Sequence, residues 1–237
     1  MSRTKTSGST NLNLKESIER RDSIHGEHEG PEGEEKLGQA MVKKNWNTWT
    51  LLLLLMWPVG SAVSQDKVKI LVVYYSVQGH TQLMGEAVAR GARGVAGTHV
   101  KLAPVSEATP ADVLWADAIV VGSPVYNAAV APEVQKFIND WPFQGAPLRN
   151  KVGAAFATGG GISAGEEVVQ LNILHSMLVF GMVVVGGPEW SSSFGASAVT
   201  GEGPFLSKEG KVDSLFLKKG EAMGRRVAEL AAMMRRK

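Results

Sequence analysis

The chain has no cysteine. That excludes disulfides, thiolate nucleophiles, zinc–thiolate sites and a lipid-modified cysteine anchor in one step. It leaves the redox compartment open, because a chain without thiols tolerates either setting. Excess charge is equally scarce: 25 basic residues face 23 acidic ones, a net +2, and from Gln65 onward the balance is 17 against 15. A nucleic-acid binder shows a strong basic excess on one face, so no nucleic-acid partner is expected. Long apolar runs are missing too. Thr50 to Trp57 is too short to span a bilayer comfortably, and Pro58 interrupts it. Neither a cluster with metal-ligand spacing nor a Ser-His-Asp arrangement stands out, so no metal ligand and no catalytic side chain is assigned.

What is present begins with a polar front. Residues 1–40 are rich in Ser, Thr, Glu and Gly with almost no apolar pattern, which predicts disorder. Met41, Lys43-Lys44, the run ending at Trp57, and the small residues Ala62 and Ser64 then form the three parts of a secretory signal over 41–64. Cleavage is expected after Ser64, giving an exported, periplasmic or secreted product. The alternative is an uncleaved signal that anchors the protein to a membrane. Because a complete signal starts at Met41, residues 1–40 read as an upstream extension from a wrong start codon.

The organising stretch follows. Val68 to Tyr75 is an unbroken apolar, β-branched and aromatic run, the mark of a strand buried on both faces of a parallel sheet. Leu83, Met84, Ala87, Val88 and Gly91 recur at helical spacing after it. Between them lies Ser76-Val77-Gln78-Gly79-His80-Thr81, a Ser-x-x-Gly-x-Thr turn. It has no Lys, so it is not a Walker loop, and it lacks Gly-x-Gly-x-x-Gly. Nor do the acidic residues of a receiver domain follow the strand. Two hydroxyls and a run of amides at a helix start suit a phosphate monoester. The alternative is an ordinary strand-to-helix turn with Thr81 as N-cap.

Further strands are expected at 98–102, 117–122, 151–157 and 182–185. Helices are expected at 110–115, 132–141, 166–180 and 213–234, with a long Gly, Ser and Pro loop over 186–204. The last helix carries Phe216, Met223, Val227, Leu230 and Met234 on one stripe. Five strands alternating with helices predict a doubly wound α/β fold, a five-stranded parallel sheet with helices on both faces, formed by residues 65–237. Its ligand site lies beyond the strand C-termini where strand order reverses, so the loops 76–81, 123–131 and 158–165 should meet there.

Residues 67–237 resemble the flavodoxin-like FMN proteins, and most of all the WrbA-type NAD(P)H:quinone oxidoreductases. The similarity runs through Val72 to Thr81, Gly122-Ser123-Pro124-Val125-Tyr126-Asn127, Thr158-Gly159-Gly160-Gly161, Phe180 to Val184 and Gly195-Ala196-Ser197. The resemblance implies that Ser76, Val77, Gln78, Gly79, His80 and Thr81 hold the FMN phosphate. It implies that Pro124, Val125, Tyr126 and Asn127 line the ribityl chain and ring, and that Thr158, Gly159, Gly160, Gly161, Ile162 and Ser163 close the other side. Trp141 falls near the family's substrate tryptophan. The implied activity is two-electron transfer from NADH or NADPH to a quinone or other small acceptor, with a homo-oligomer in view. Two positions depart from the family: Tyr126-Asn127 lacks an intervening Gly, and Phe180 replaces a His, so a flavin contact there is lost or replaced by packing. A shortened insertion bears on the family's tetramer.

Among single residues, His80 either contacts the cofactor or faces solvent. His175, beside Ile173, Leu174 and Leu178, reads as a core or interface histidine. Glu166 and Glu167 read as first-turn carboxylates that favour the helix dipole. The rival function is a non-enzymatic electron carrier, which commonly docks through an acidic face that this near-neutral domain lacks. A third reading is a fold relic that serves only as a binding module.

Overall fold

The computed structural model describes residues 66–206 and 211–235. The expectations for residues 1–40 and 41–64 lie outside them. In chain order the elements are β1 (Val68–Tyr74), α1 (His80–Arg93), β2 (Thr98–Pro104), α2 (Pro110–Trp115), β3 (Ala118–Tyr126) and β4 (Ala129–Val130). They continue with α3 (Pro132–Asn139), β5 (Val152–Gly159), α4 (Glu166–Val179), β6 (Val183–Val184), β7 (Ala196–Val199) and α5 (Ser214–Arg235).

The sheet runs β2-β1-β3-β5-β6, and β7 adds to β5 beyond β6. All these pairs are parallel; only the short β4 runs antiparallel, against β3. The chain moves from β1 outward to β2 and then returns to the other side of β1 for β3. That reversal opens a crevice above β1 and β3, the position expected for a ligand.

Alternation along the strands divides the core. Ile70 and Val72 of β1 join Met84, Val88, Phe156, Met223 and Val227 on the face covered by α1 and α5. Leu71 and Val73 join Ile119, Val121, Phe137, Ile138, Ile173 and Met177 on the other. Every residue of β5 is buried, as a central strand covered on both sides requires. Phe156 fills the space above Gly122, where a Cβ would lie 2.0 Å from the ring. Truncating that ring would cost about 3–5 kcal/mol.

Helices α1 and α5 meet backbone to backbone. A Cβ on Gly91 would sit 1.9 Å from the Glu221 carbonyl oxygen, and one on Gly224 would sit 1.9 Å from that of Val88. The exposed Arg90–Glu221 pair, 2.8 Å, borders this seam and adds little by itself. Helix α2 is closed at both ends. Thr109 and Asp112 form a capping box at its start. The Lys151 ammonium donates to the carbonyls of Val113, Leu114 and Ala116 at its end.

The expected fold is the observed one, with two differences of detail. The last strand is split: β6 ends at Val184, the chain makes an excursion over 185–195, and β7 resumes beside β5 within the stretch expected to be loop. The excursion is closed by Gly187 N–H donating to Ser192 C=O at 2.8 Å. The second difference is the β3–β4 hairpin, whose two turn residues Asn127 (φ 53°) and Ala128 (φ 59°) are both left-handed. That is the two-residue turn whose twist matches its strands. His175 is exposed on the outer face of α4, so it is a surface residue and not part of the core. Among the described residues, no helix is long and apolar enough to cross a membrane.

Candidate functional site: an anion cradle at the strand reversal

The end of β1 delivers Ser76 to Thr81 onto the start of α1. Gly79 is the N-cap, with φ 84°, a left-handed conformation that glycine adopts without steric cost. No side chain caps this helix. Thr81 therefore is not the N-cap; it lies inside the first turn, and its hydroxyl pairs with that of Thr158 at 2.7 Å, buried. Leu83 N–H donates to Gly79 C=O at 3.0 Å, closing the first turn. Among the described residues, no backbone carbonyl accepts from Val77, Gln78, Gly79 or Thr81. Val77, Gln78 and Thr81, with the positive end of α1, border one spot.

That spot is a cavity of about 220 Å³ lined by Ser76, Val77, Gln78, His80, Thr81, Pro124, Val125, Tyr126, Thr158, Gly159, Gly160 and Thr200. All three loops expected to meet do so. The lining contains no carboxylate and no Lys or Arg, so it is a cradle of amides and hydroxyls. Gly160 leaves open space where a Cβ would project, so a flat group can approach the backbone there. Tyr126, 39% exposed, forms the opposite wall and meets Tyr75 edge-on at 6.5 Å.

The glycine loop is braced from behind. Thr200 N–H and Oγ1–H both donate to Gly159 C=O, at 3.0 and 3.2 Å. Ile162 N–H donates to Glu202 Oε2 at 2.6 Å. Glu166, 4% exposed, lies under Gly159; a Cβ there would be 2.2 Å from its Oε1, which has no hydrogen-bond partner. Burial pushes the Glu166 carboxyl above the usual range. The Ser123 hydroxyl accepts from Ala131 N–H at 3.0 Å, tying the ends of the second loop together.

Five sequence candidates do not line the cavity: Gly79, Asn127, Gly161, Ile162 and Ser163. Gly79 shapes the cradle through its φ, and Asn127 lies in the hairpin turn. Ile162 N–H is held by Glu202, and its side chain is 53% exposed; a Cβ on Gly161 would meet the same carboxylate at 2.9 Å. Trp141 is elsewhere: 4% exposed, edge-on to Phe137 and tilted against Phe180, beside a second cavity that shares Ser76 with the first. Phe180, standing where the family has His, thus packs with Trp141 and Phe143. Thr200 escaped the sequence reading because it follows a strand too short to signal. Its nearest clue was Gly195-Ala196-Ser197.

The donor set fits a phosphate monoester, and the open glycine wall with a facing tyrosine fits a flat ring attached to it. Fold and site together define a flavodoxin-like, mononucleotide-binding α/β protein. The family model described as NADPH-dependent FMN reductase matches residues 101–197. A flavodoxin from Aquifex aeolicus is 37% identical over 175 residues, covering 70% of this chain and 88% of its own length. An NAD(P)H dehydrogenase (quinone) from Azorhizobium caulinodans is 36% identical over 163 residues, covering 58% and 80%. Another of that name, from Methylocella silvestris, is 32% identical over 199 residues, covering 70% and 98%. The solved structure of a flavodoxin, WrbA-like protein from Agrobacterium tumefaciens aligns with TM-score 0.59 and 22% identity, covering 71% of this chain and 99% of that one. The chain belongs to the flavodoxin-like FMN proteins, the family of these flavodoxin and NAD(P)H dehydrogenase (quinone) relatives.

Proposed function

We propose that the protein is an FMN-dependent oxidoreductase that takes two electrons from NADH or NADPH and delivers them to a quinone-type acceptor. The observation that carries this reading is the cradle itself: uncapped amides and buried hydroxyls at the strand reversal, beside a glycine wall open to a flat ring. The relatives' names support NAD(P)H as donor and a quinone as acceptor.

Ser76, Thr81 and Thr158 would supply hydroxyls to the FMN phosphate, with the amides of Val77 to Thr81 completing its shell. Tyr126 offers an aromatic face, and Gly160 lets the backbone come close on the other side. FMN, when bound, supplies hydride acceptance and its return to a second substrate. The protein's own part is orientation and charge stabilisation. Glu202, by holding Ile162 N–H, fixes the glycine loop that borders the cleft at Gly159 and Gly160. The absence of carboxylates from the lining keeps the cradle hospitable to negative charge.

The test is an absorption and activity assay on purified protein incubated with FMN, then with NADH or NADPH and a benzoquinone. Saturable yellow binding and steady quinone reduction are expected. A protein that stays colourless and unreactive overturns the reading. A flavodoxin-type carrier is the second reading, favoured by the Aquifex aeolicus relative's name. Reductive titration separates them: the enzyme reduces in one two-electron step, the carrier in two resolved one-electron steps.

We also propose that residues 41–64 direct export. This reading is supported by the basic, apolar and small-residue order of that stretch. N-terminal sequencing of the protein from its native source would find Gln65 first; a start within 1–40 would overturn it.

A further inference from the structure

Helix α4 opens on two carboxylates with different surroundings. Glu167 is exposed, whereas Glu166 is buried beneath the glycine loop. A Cβ on Gly159 would lie 2.2 Å from Glu166 Oε1, and that buried oxygen has no hydrogen-bond partner. The Gly159 carbonyl is already taken twice, by the amide and the hydroxyl of Thr200. One turn further along α4, the equally buried Gln170 is satisfied: its Nε2 donates to Ala196 C=O at 2.9 Å. The inner face of α4 thus satisfies an amide and leaves a carboxyl oxygen unsatisfied.

Nothing nearby offsets a negative charge on that carboxyl. Among the described residues, no cation pairs with Glu166. The strands packed on α4 (β3, β4, β5 and β6) carry no charged residue, and Tyr126 is their one titratable group. The helix itself adds Glu167 and His175, and Glu202 reaches the glycine loop at Ile162. Burial raises the Glu166 carboxyl above its ordinary value and Glu167 adds to that, while the amides from Ala164 to Glu166 pull the other way.

Gly159 borders the cradle and also covers Glu166. A negative ligand in the cradle and an ionised Glu166 would therefore repel one another through a dry strand end.

We propose that Glu166 is a positioning residue that acts through Gly159 and takes up a proton from solvent when a phosphate-bearing flavin enters the cradle, coupling coenzyme affinity to pH. The step forms one O–H bond and moves no electrons. It rests on the FMN reading of the cradle. The ligand favours the neutral carboxyl, so the Glu166 contribution to affinity grows as pH falls. The phosphate monoester acts in the opposite sense, because it gains its second proton near about pH 6. Glu166→Gln keeps the shape and carries the phosphate effect alone.

The test titrates full-length parent and Glu166→Gln with FMN by calorimetry from pH 5 to pH 8, in phosphate-free buffers of differing ionisation enthalpy. The parent should take up more protons per FMN than Glu166→Gln. Glu166→Gln should bind about fivefold more tightly than the parent at pH 8, with the two alike at pH 5. Glu167→Gln, which removes the exposed neighbouring charge, should keep the parent's proton uptake. Without FMN, Glu166→Gln should melt at a higher temperature than the parent at pH 8. That gap should narrow as pH falls through the raised folded value and close below about 4.3, the ordinary glutamate value. FMN binding with equal proton uptake by parent and Glu166→Gln overturns this proposal alone. So does an equal loss of uptake in Glu167→Gln, or a melting difference that does not change with pH. Failure of FMN to bind either protein overturns the flavin reading and this proposal with it.

Discussion

Helices α1 and α2 begin at the same edge of the same sheet, yet their first turns are finished in opposite ways. At α2, Thr109 accepts from Asp112 N–H while the Asp112 carboxylate accepts from Thr109 N–H, so the turn satisfies itself. At α1 a glycine in the left-handed region occupies the cap, so the cap residue has no side chain to bond the first turn, and the hydroxyls of Thr81 and Thr158 turn to one another inside the cleft. Four orphan amides are a cost to an isolated helix. A fold that closes one helix and leaves its neighbour open has reserved the open one for a ligand.

The largest expected effect comes from placing a charge in the open turn. Ser76→Asp should weaken FMN at least about 100-fold by fluorescence titration, because a carboxylate then competes for the same amides and repels phosphate. Its thermal stability should stay close to that of the parent. Gly79→Ala forces a side chain into φ 84° and should cost about 1–2 kcal/mol in urea unfolding. The equivalent insult at the closed helix behaves differently. Thr109→Ala should cost about 1 kcal/mol of stability while leaving FMN affinity within about twofold.

The smallest effect is one of pH. The Lys101 ammonium, 2.6 Å away, holds the Asp112 carboxyl below its ordinary value, with Thr109 assisting. A lowered folded value means that Asp112's contribution is fully present above its unfolded value, about 3.9. It is lost as pH falls through the lower folded value. Asp112→Asn should therefore be less stable than the parent at neutral pH, and the gap should close below about pH 4. A gap that persisted in acid would show that the cap acts through shape and not charge.

The sheet was readable because its central strands are buried on both faces, so Val68 to Tyr74 and Ala118 to Val121 stand out as apolar runs. The cradle was readable for a related reason: its hydroxyls and glycines follow such a run directly. The rest was set by contacts between distant segments. Thr200 and Glu202 reach the glycine loop from some 40 residues away, and nothing local to Ala196–Val199 announces a strand. Trp141 shares its residue type with a substrate contact, but Phe137 and Phe180 draw it into the core. His175 sits among apolar neighbours in the chain, yet the helix turns it to solvent. Glu166 looked like a dipole partner; only its burial beneath Gly159 distinguishes it from Glu167.

The glycine seam between α1 and α5 has a temporal meaning. The helix that presents the cradle is seated on Ser214–Arg235, the last described segment to be synthesised. A ribosome must release that segment before the first crossover, already packed on the sheet, gains its helix partner. A fully seated cradle helix is therefore an event that follows the synthesis of Ser214–Arg235, long after the cradle's own residues have emerged.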